Sequence, residues 1–196
     1  MIINTIRSNY KIILFGFIFT LFSSVGQSFF IGLFNSDIRK ELNISHGEFG
    51  SIYGVATLCS SILLIWIGKK IDDIKLLYYS IFVIIFLSFA SLFFSYVSGI
   101  FFLFFGIFFL RLSGQGLMAH TASTAISRYF EKRRGKALSY MWFGMSLGEF
   151  LFPILIVYLL SFIYWRDLWV QISIVILLFL PAISFFTIKD ISILSR

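Results

Sequence analysis

The sequence predicts an all-α integral membrane protein, and three observations carry that expectation. Six apolar stretches, at residues 12–36, 47–68, 76–97, 100–127, 137–164 and 168–188, account for nearly all of the 196 residues. The composition is 59% hydrophobic and 20% aromatic, with 27 phenylalanines, and the mean hydropathy is +0.96. No water-facing surface can be built from such a chain. The stretches also lack the two-residue alternation of barrel strands. Lipid offers the backbone no hydrogen-bond partners, so runs of this kind must become helices that satisfy themselves. The expectation is one domain, residues 1–196, folded as a bundle of six transmembrane helices.

Each stretch meets the length test, because a rise of about 1.5 Å per residue lets roughly 20 residues cross the hydrocarbon layer. The first follows Arg7 and Lys11, as a secretory signal would. It is too long for a signal core and no small-residue cleavage site follows, so it reads as a retained helix. The second holds Cys59, the only cysteine, which excludes a disulfide or thiol-cluster metal site within one chain. Gly50 and Gly54 in the second stretch, and Gly144 and Gly148 in the fifth, have the spacing that lets helices approach closely. The fifth and sixth carry Pro153 and Pro181, expected to bend their helices and free carbonyls. No cofactor or metal is expected, since neither a phosphate-binding loop nor a His-x-x-x-His pattern is present.

An even number of spans places both chain ends on one side, and Lys and Arg choose the side. With a cytoplasmic N-terminus, the inner segments hold 12 of the 16 basic residues: Arg7, Lys11, Lys69, Lys70, Lys75, Arg128, Lys132, Arg133, Arg134, Lys136, Lys189 and Arg196. The outer segments hold Arg39, Lys40 and Arg166. Both termini are therefore expected in the cytoplasm, in a multi-pass protein of the cell membrane, the inner membrane in a bacterium. The net charge of +7 then orients the chain and meets anionic lipid rather than nucleic acid.

The six stretches divide into two sets of three. Gly26-Gln27 recurs as Gly114-Gln115, 88 positions later, and Gly47 before the second stretch matches Gly135 before the fifth. Three helices used twice run in opposite directions through the membrane, the inverted repeat of many secondary transporters.

Two charges lie where lipid makes them expensive. Arg111 is about 17 Å, and Glu149 about 22 Å, below the outer ends of the fourth and fifth stretches. A charge at that depth costs about 3 kcal/mol even on the lenient insertion scale, so each should face a partner or a wet cavity. The two are expected to pair with each other, either as a structural salt bridge or with Arg111 binding an anionic group that Glu149 tunes or competes with. Gly114, Gln115 and Met118 share one face with Arg111, and Thr20, Ser23, Ser24 and Gln27 form a stripe on the first helix. The two stripes either line a polar cavity or, alternatively, Ser and Thr bond their own carbonyls while Gln27 joins helices. His120 lies half a turn from the Arg111 face, which favours helix packing over proton relay.

The loops carry the most recognisable text. Gly68-Lys69-Lys70-Ile71-Asp72-Asp73-Ile74-Lys75 joins stretches two and three, and Arg128-Tyr129-Phe130-Glu131-Lys132-Arg133-Arg134-Gly135-Lys136 joins four and five. With Arg111 and Gly114-Gln115-Gly116, this text resembles the N-terminal six-helix half of the major facilitator superfamily. Gly68 and Asp72 match the family's gating loop, although Asp73 stands where a basic residue usually follows. Glu149 stands where the antiporter motif has proline. The wording around Gly26-Gln27 and Arg128 to Gly135 looks most like the monocarboxylate and oxalate/formate branch.

The resemblance implies half of a major facilitator fold and a secondary transporter for a small solute, an organic anion such as a carboxylate. Arg111, Gln115, Gln27, Ser24 and Glu149 would contact the substrate. Family members rock two six-helix bundles around a midplane site, so a second bundle is implied, a homodimer partner or a missing C-terminal half. The alternative is a truncated, non-transporting fragment or a regulatory membrane subunit. An intramembrane enzyme would have to rely on His120 and Glu149 alone, without a nucleophile or a metal-ligand pattern.

Overall fold

The computed structural model describes residues 9–189 and residue 191; Arg7 and Arg196, counted above for orientation, lie outside them. Six helical spans cross the bundle: Tyr10–Gly32, His46–Asp72, Leu76–Ser95, Ile100–Tyr129, Arg134–Leu160 and Trp165–Ile188. They match the six apolar stretches to within a few residues at most ends. A short helix, Asn35–Leu42, follows the first span. The second span starts at a capping box, with Ser45 Oγ accepting from the Glu48 amide and Glu48 returning a bond to the Ser45 amide.

The packing repeats itself with inverted order. The first span crosses the fourth, and the third lies along the sixth. The second span packs on the fourth as the fifth packs on the first, and the third packs on the fourth as the sixth packs on the first. Ser88 and Ser173, in the third and sixth spans, donate to each other's main-chain carbonyls at 3.0 and 2.8 Å. The predicted pair of inverted three-helix repeats is thus the arrangement of the bundle.

Burial is uneven in the same pattern. The buried share is 56% in both the first and fourth spans, but 11% in the second and 17% in the fifth. The two central spans therefore hold the core, and the two symmetry-related outer spans each leave a broad face open.

Glycines explain why the central spans can cross closely. A Cβ on Gly114 would stand 2.6 Å from the Gly26 amide nitrogen, and one on Gly26 would stand 2.6 Å from that of Gln115. Main chain meets main chain there, so no larger residue fits. Gly144 and Gly148 bring the fifth span onto Phe17, Thr20 and Ser24 of the first. Gly50 and Gly54 do not play the expected part: nothing lies within 4 Å of a Cβ on either. The second span leans on the fourth through its Tyr53, Leu64 and Gly68 side, which turns Gly50 and Gly54 to the open face. Pro153 and Pro181 lie inside continuous helices. Pro153 has no N–H to give the carbonyl of Glu149, four residues earlier.

Candidate functional site

Both central spans lose regular α-geometry at their crossing. In the first, Ser24–Gly26 tightens into a 3-10 turn and Gln27 is extended at φ −83°, ψ 156°. In the fourth, Arg111–Met118 widens into a π-helix. With the 88-residue offset, these irregular segments are equivalents. Each is rich in Ser and Gly, and non-helical backbone at membrane depth is tolerated only where protein or a polar cavity surrounds it. Widened turns of this kind recur at functional sites.

Arg111 opens the π-segment and is 7% exposed. Its Nη1 donates to the Gly26 carbonyl at 3.1 Å, and its guanidinium carbon sits over the Tyr53 ring, 5.3 Å from the centroid. Its Nε is buried without a hydrogen-bond partner. The hydroxyls of Ser24, Tyr53 and Thr57 are buried and unpartnered as well. A buried polar atom left unsatisfied costs about 1–3 kcal/mol.

Arg111 and Glu149 do not pair as expected. The ion pairs among the described residues are Lys70–Asp73, Arg128–Asp72 and Arg166–Glu41. Gly148 faces the first span against Ser24. Glu149, one residue or about 100° further round, points to the open surface of the fifth span and is exposed.

The serine and threonine stripe of the first span divides in two. The one Thr20 hydroxyl proton has three carbonyls within reach, those of Gly16 and Phe17 at 3.1 and 3.0 Å and that of Met141 in the fifth span at 2.5 Å. Ser23 bonds the Thr20 carbonyl at 2.7 Å. Those two are structural. Ser24 and Gln27 stay at the crossing, where Gln27 makes only a long contact, Nε2 to Met145 Sδ at 3.9 Å. Gln115 is half-buried, with its main-chain nitrogen facing Gly26. The structure therefore groups Arg111, Ser24, Gln27 and Gln115 around the crossing and leaves Glu149 on the open face of the fifth span.

Gly68 and Asp72 form a second, separate place, at the end of the bundle where the second and fourth spans finish. Asp72 accepts from Arg128. His120 lies 3.1 Å from the Gly68 carbonyl; since a carbonyl only accepts, Nε2 carries the proton. His120 packs against the second span, as Arg111 does; the half-turn separation expected of a regular helix does not hold, because the π-segment between them changes the residues per turn. At the other end Glu41 accepts from Tyr164, Trp165 and Arg166, the last through Nε at 2.9 Å and Nη2 at 2.7 Å. Arg166 also donates to the Ser95 and Val97 carbonyls, both at 2.6 Å, and stacks on Trp165. Partial burial works to raise the Glu41 pKa. The bonds from Arg166, Tyr164 and Trp165, with the guanidinium charge, outweigh it and hold the carboxyl below its ordinary value.

Sequence reading missed Tyr53 and Thr57, Arg128 as the partner of Asp72, and the Glu41 cluster. The i, i+4 spacing of Tyr53 and Thr57 on an apolar span was the one available signal for them. The other pairs join residues more than fifty positions apart, which no local pattern reveals.

A bundle of inverted repeats, irregular at its centre around a buried arginine, is the build of a membrane transport protein. The family model described as Major Facilitator Superfamily matches residues 16–192, and the chain belongs to that superfamily. It is accordingly a multi-pass membrane protein of a transporter family, embedded in a lipid bilayer and built to handle a small solute. No curated protein sequence matches it.

Proposed function

We propose that this chain carries out secondary transport of a small organic anion, such as a carboxylate, by alternating access together with a second six-helix bundle. One observation carries the reading: Arg111 is buried at membrane depth with no carboxylate partner, at the crossing of two irregular central spans. A guanidinium presents a fork of N–H donors that matches a carboxylate, and the uncompensated charge favours an anion over a neutral solute. Ser24, Gln27 and Gln115 would contact the same solute, and Glu149, on the open face of the fifth span, would compete with it or tune its binding.

The second bundle is supported by the open faces of the second and fifth spans. They expose Ser51, Ser61, Ser146 and Glu149 among their apolar residues, whereas the third and sixth expose mainly Phe, Leu and Ile. Polar groups at that depth should face protein or a wet cavity rather than lipid. Gly68 and Asp72, tied to the end of the fourth span, would gate that end. The basic residues argue for cytoplasmic termini.

The test is uptake of labelled monocarboxylates into proteoliposomes. Arg111→Gln should reduce uptake at least about tenfold while insertion and yield stay normal; unchanged uptake would remove Arg111 from the mechanism. Uptake by a species shown by mass measurement to be a lone six-helix monomer would refute the need for a second bundle.

A further inference from the structure

Three spans contribute to the surroundings of Arg111, and the second span's share belongs to no motif. Tyr53 lies under the Arg111 guanidinium. Further along the same parallel pair of spans, Leu64 lies against Gly116 and Gly68 against His120. Thr57, one turn past Tyr53, is therefore level with the π-segment between Arg111 and Gly116. Its Oγ1, the Tyr53 hydroxyl and the Arg111 Nε are all buried without hydrogen-bond partners. Three buried polar groups without partners, on adjoining faces of two packed helices, can be satisfied together by one acceptor placed between them.

We infer that the Tyr53 and Thr57 hydroxyls complete the Arg111 site and fit it to a single monocarboxylate group. This rests on the reading of Arg111 as an anion site. A carboxylate carries two oxygens with about four acceptor positions, enough for Nε and both hydroxyls at once. Charge sets the class of anion. Arg111 is the one Lys or Arg in the interior of the six spans, the others standing at span ends or in loops. A monoanion neutralises it, whereas a phosphate dianion would leave a net negative charge at membrane depth. Tyr53 has two functions here: its ring face holds the guanidinium in place and its hydroxyl points the donor set at the anion. That separates it from a packing residue, because Tyr53→Phe keeps the ring and removes only the donor.

The experiment uses the full chain in lipid nanodiscs and follows its melting temperature against formate, acetate and lactate at constant ionic strength. Acetamide serves as the neutral comparison and phosphate, held well above its second pKa so that it is a dianion, as the multivalent one. At least one monocarboxylate should stabilise the protein by mass action, with acetamide and phosphate inert. Tyr53→Phe and Thr57→Val should each raise its half-saturating concentration about tenfold, and Arg111→Gln should abolish the effect. If Arg111→Gln abolishes it while Tyr53→Phe and Thr57→Val match the parent chain, the two hydroxyls are excluded and the role of Arg111 stands. If the monocarboxylate acts equally on Arg111→Gln, the anion reading itself fails. If none of the three stabilises the parent chain, or phosphate does so as well, the monocarboxylate assignment is overturned.

Discussion

Two arginines in this molecule have opposite surroundings. Arg166, at the end of the bundle, spends its donors on one oxygen of the Glu41 carboxylate and on the carbonyls of Ser95 and Val97, and its flat face stacks on Trp165. Arg111, at the centre, has one hydrogen bond to a main-chain carbonyl, an aromatic ring, and an Nε with nothing to bond. Arg166 ties the Asn35–Leu42 helix to the third and sixth spans. Arg111 ties little and stands among other unsatisfied groups. A saturated arginine is a structural clasp, whereas a starved one in a more expensive place is where the proposed anion site falls.

The comparison can be broken or sharpened by substitution. The largest effect should come from the frame that holds Arg111 in place. Gly114→Leu drives a side chain into the Gly26 backbone, and main chain cannot swing aside as a flexible side chain can. A loss of more than about 4 kcal/mol is expected, read as failure to accumulate folded protein or as a collapsed midpoint in detergent unfolding. A well-folded Gly114→Leu protein would show that the spans do not cross there.

Arg166→Gln should come next, at about 2 kcal/mol. It removes two hydrogen bonds to one Glu41 oxygen and leaves two carbonyls without their donor. The same cluster makes a pH prediction. The folded-state pKa of Glu41 is lowered from 4.5, so its contribution is fully present above that value and is lost as pH falls through the lower folded-state value. Unfolding midpoints measured from pH 6 downward, at roughly half-unit steps, should show a decline below about 4.5 that is shallower in Arg166→Gln. Parallel curves would mean that the clasp does not form in the membrane.

Arg111→Gln should have the smallest effect on stability, within about 1 kcal/mol of the parent chain and on the stabilising side, because it removes a charge from membrane depth. A large loss of stability would make Arg111 a clasp like Arg166 and erase the distinction.

Much of the fold was legible because membrane spans are read from length and apolarity, two properties of the chain alone. The repeat was legible through Gly26-Gln27 and Gly114-Gln115, since their glycines sit at the crossing itself and tolerate no side chain. Gly144 and Gly148 meet another span of the bundle, whereas Gly50 and Gly54 with the same spacing meet none. Spacing says that a helix can be approached closely and does not say which face another helix takes. Glu149 failed as the partner of Arg111 for the same reason: depth along a helix follows from residue number, but direction around it depends on which face packs.

The amino-acid sequence by itself determined six helices, their polarity as two sets of three, and an arginine at membrane depth. Those follow from local physics, since an apolar run in lipid has to bond its own backbone. Only the tertiary structure decided which polar groups meet. It brought Tyr53 under Arg111, turned Glu149 away, and joined Glu41 to Arg166 across 125 residues. Those outcomes depend on the rotation of each helix about its axis, and packing against neighbours sets that rotation.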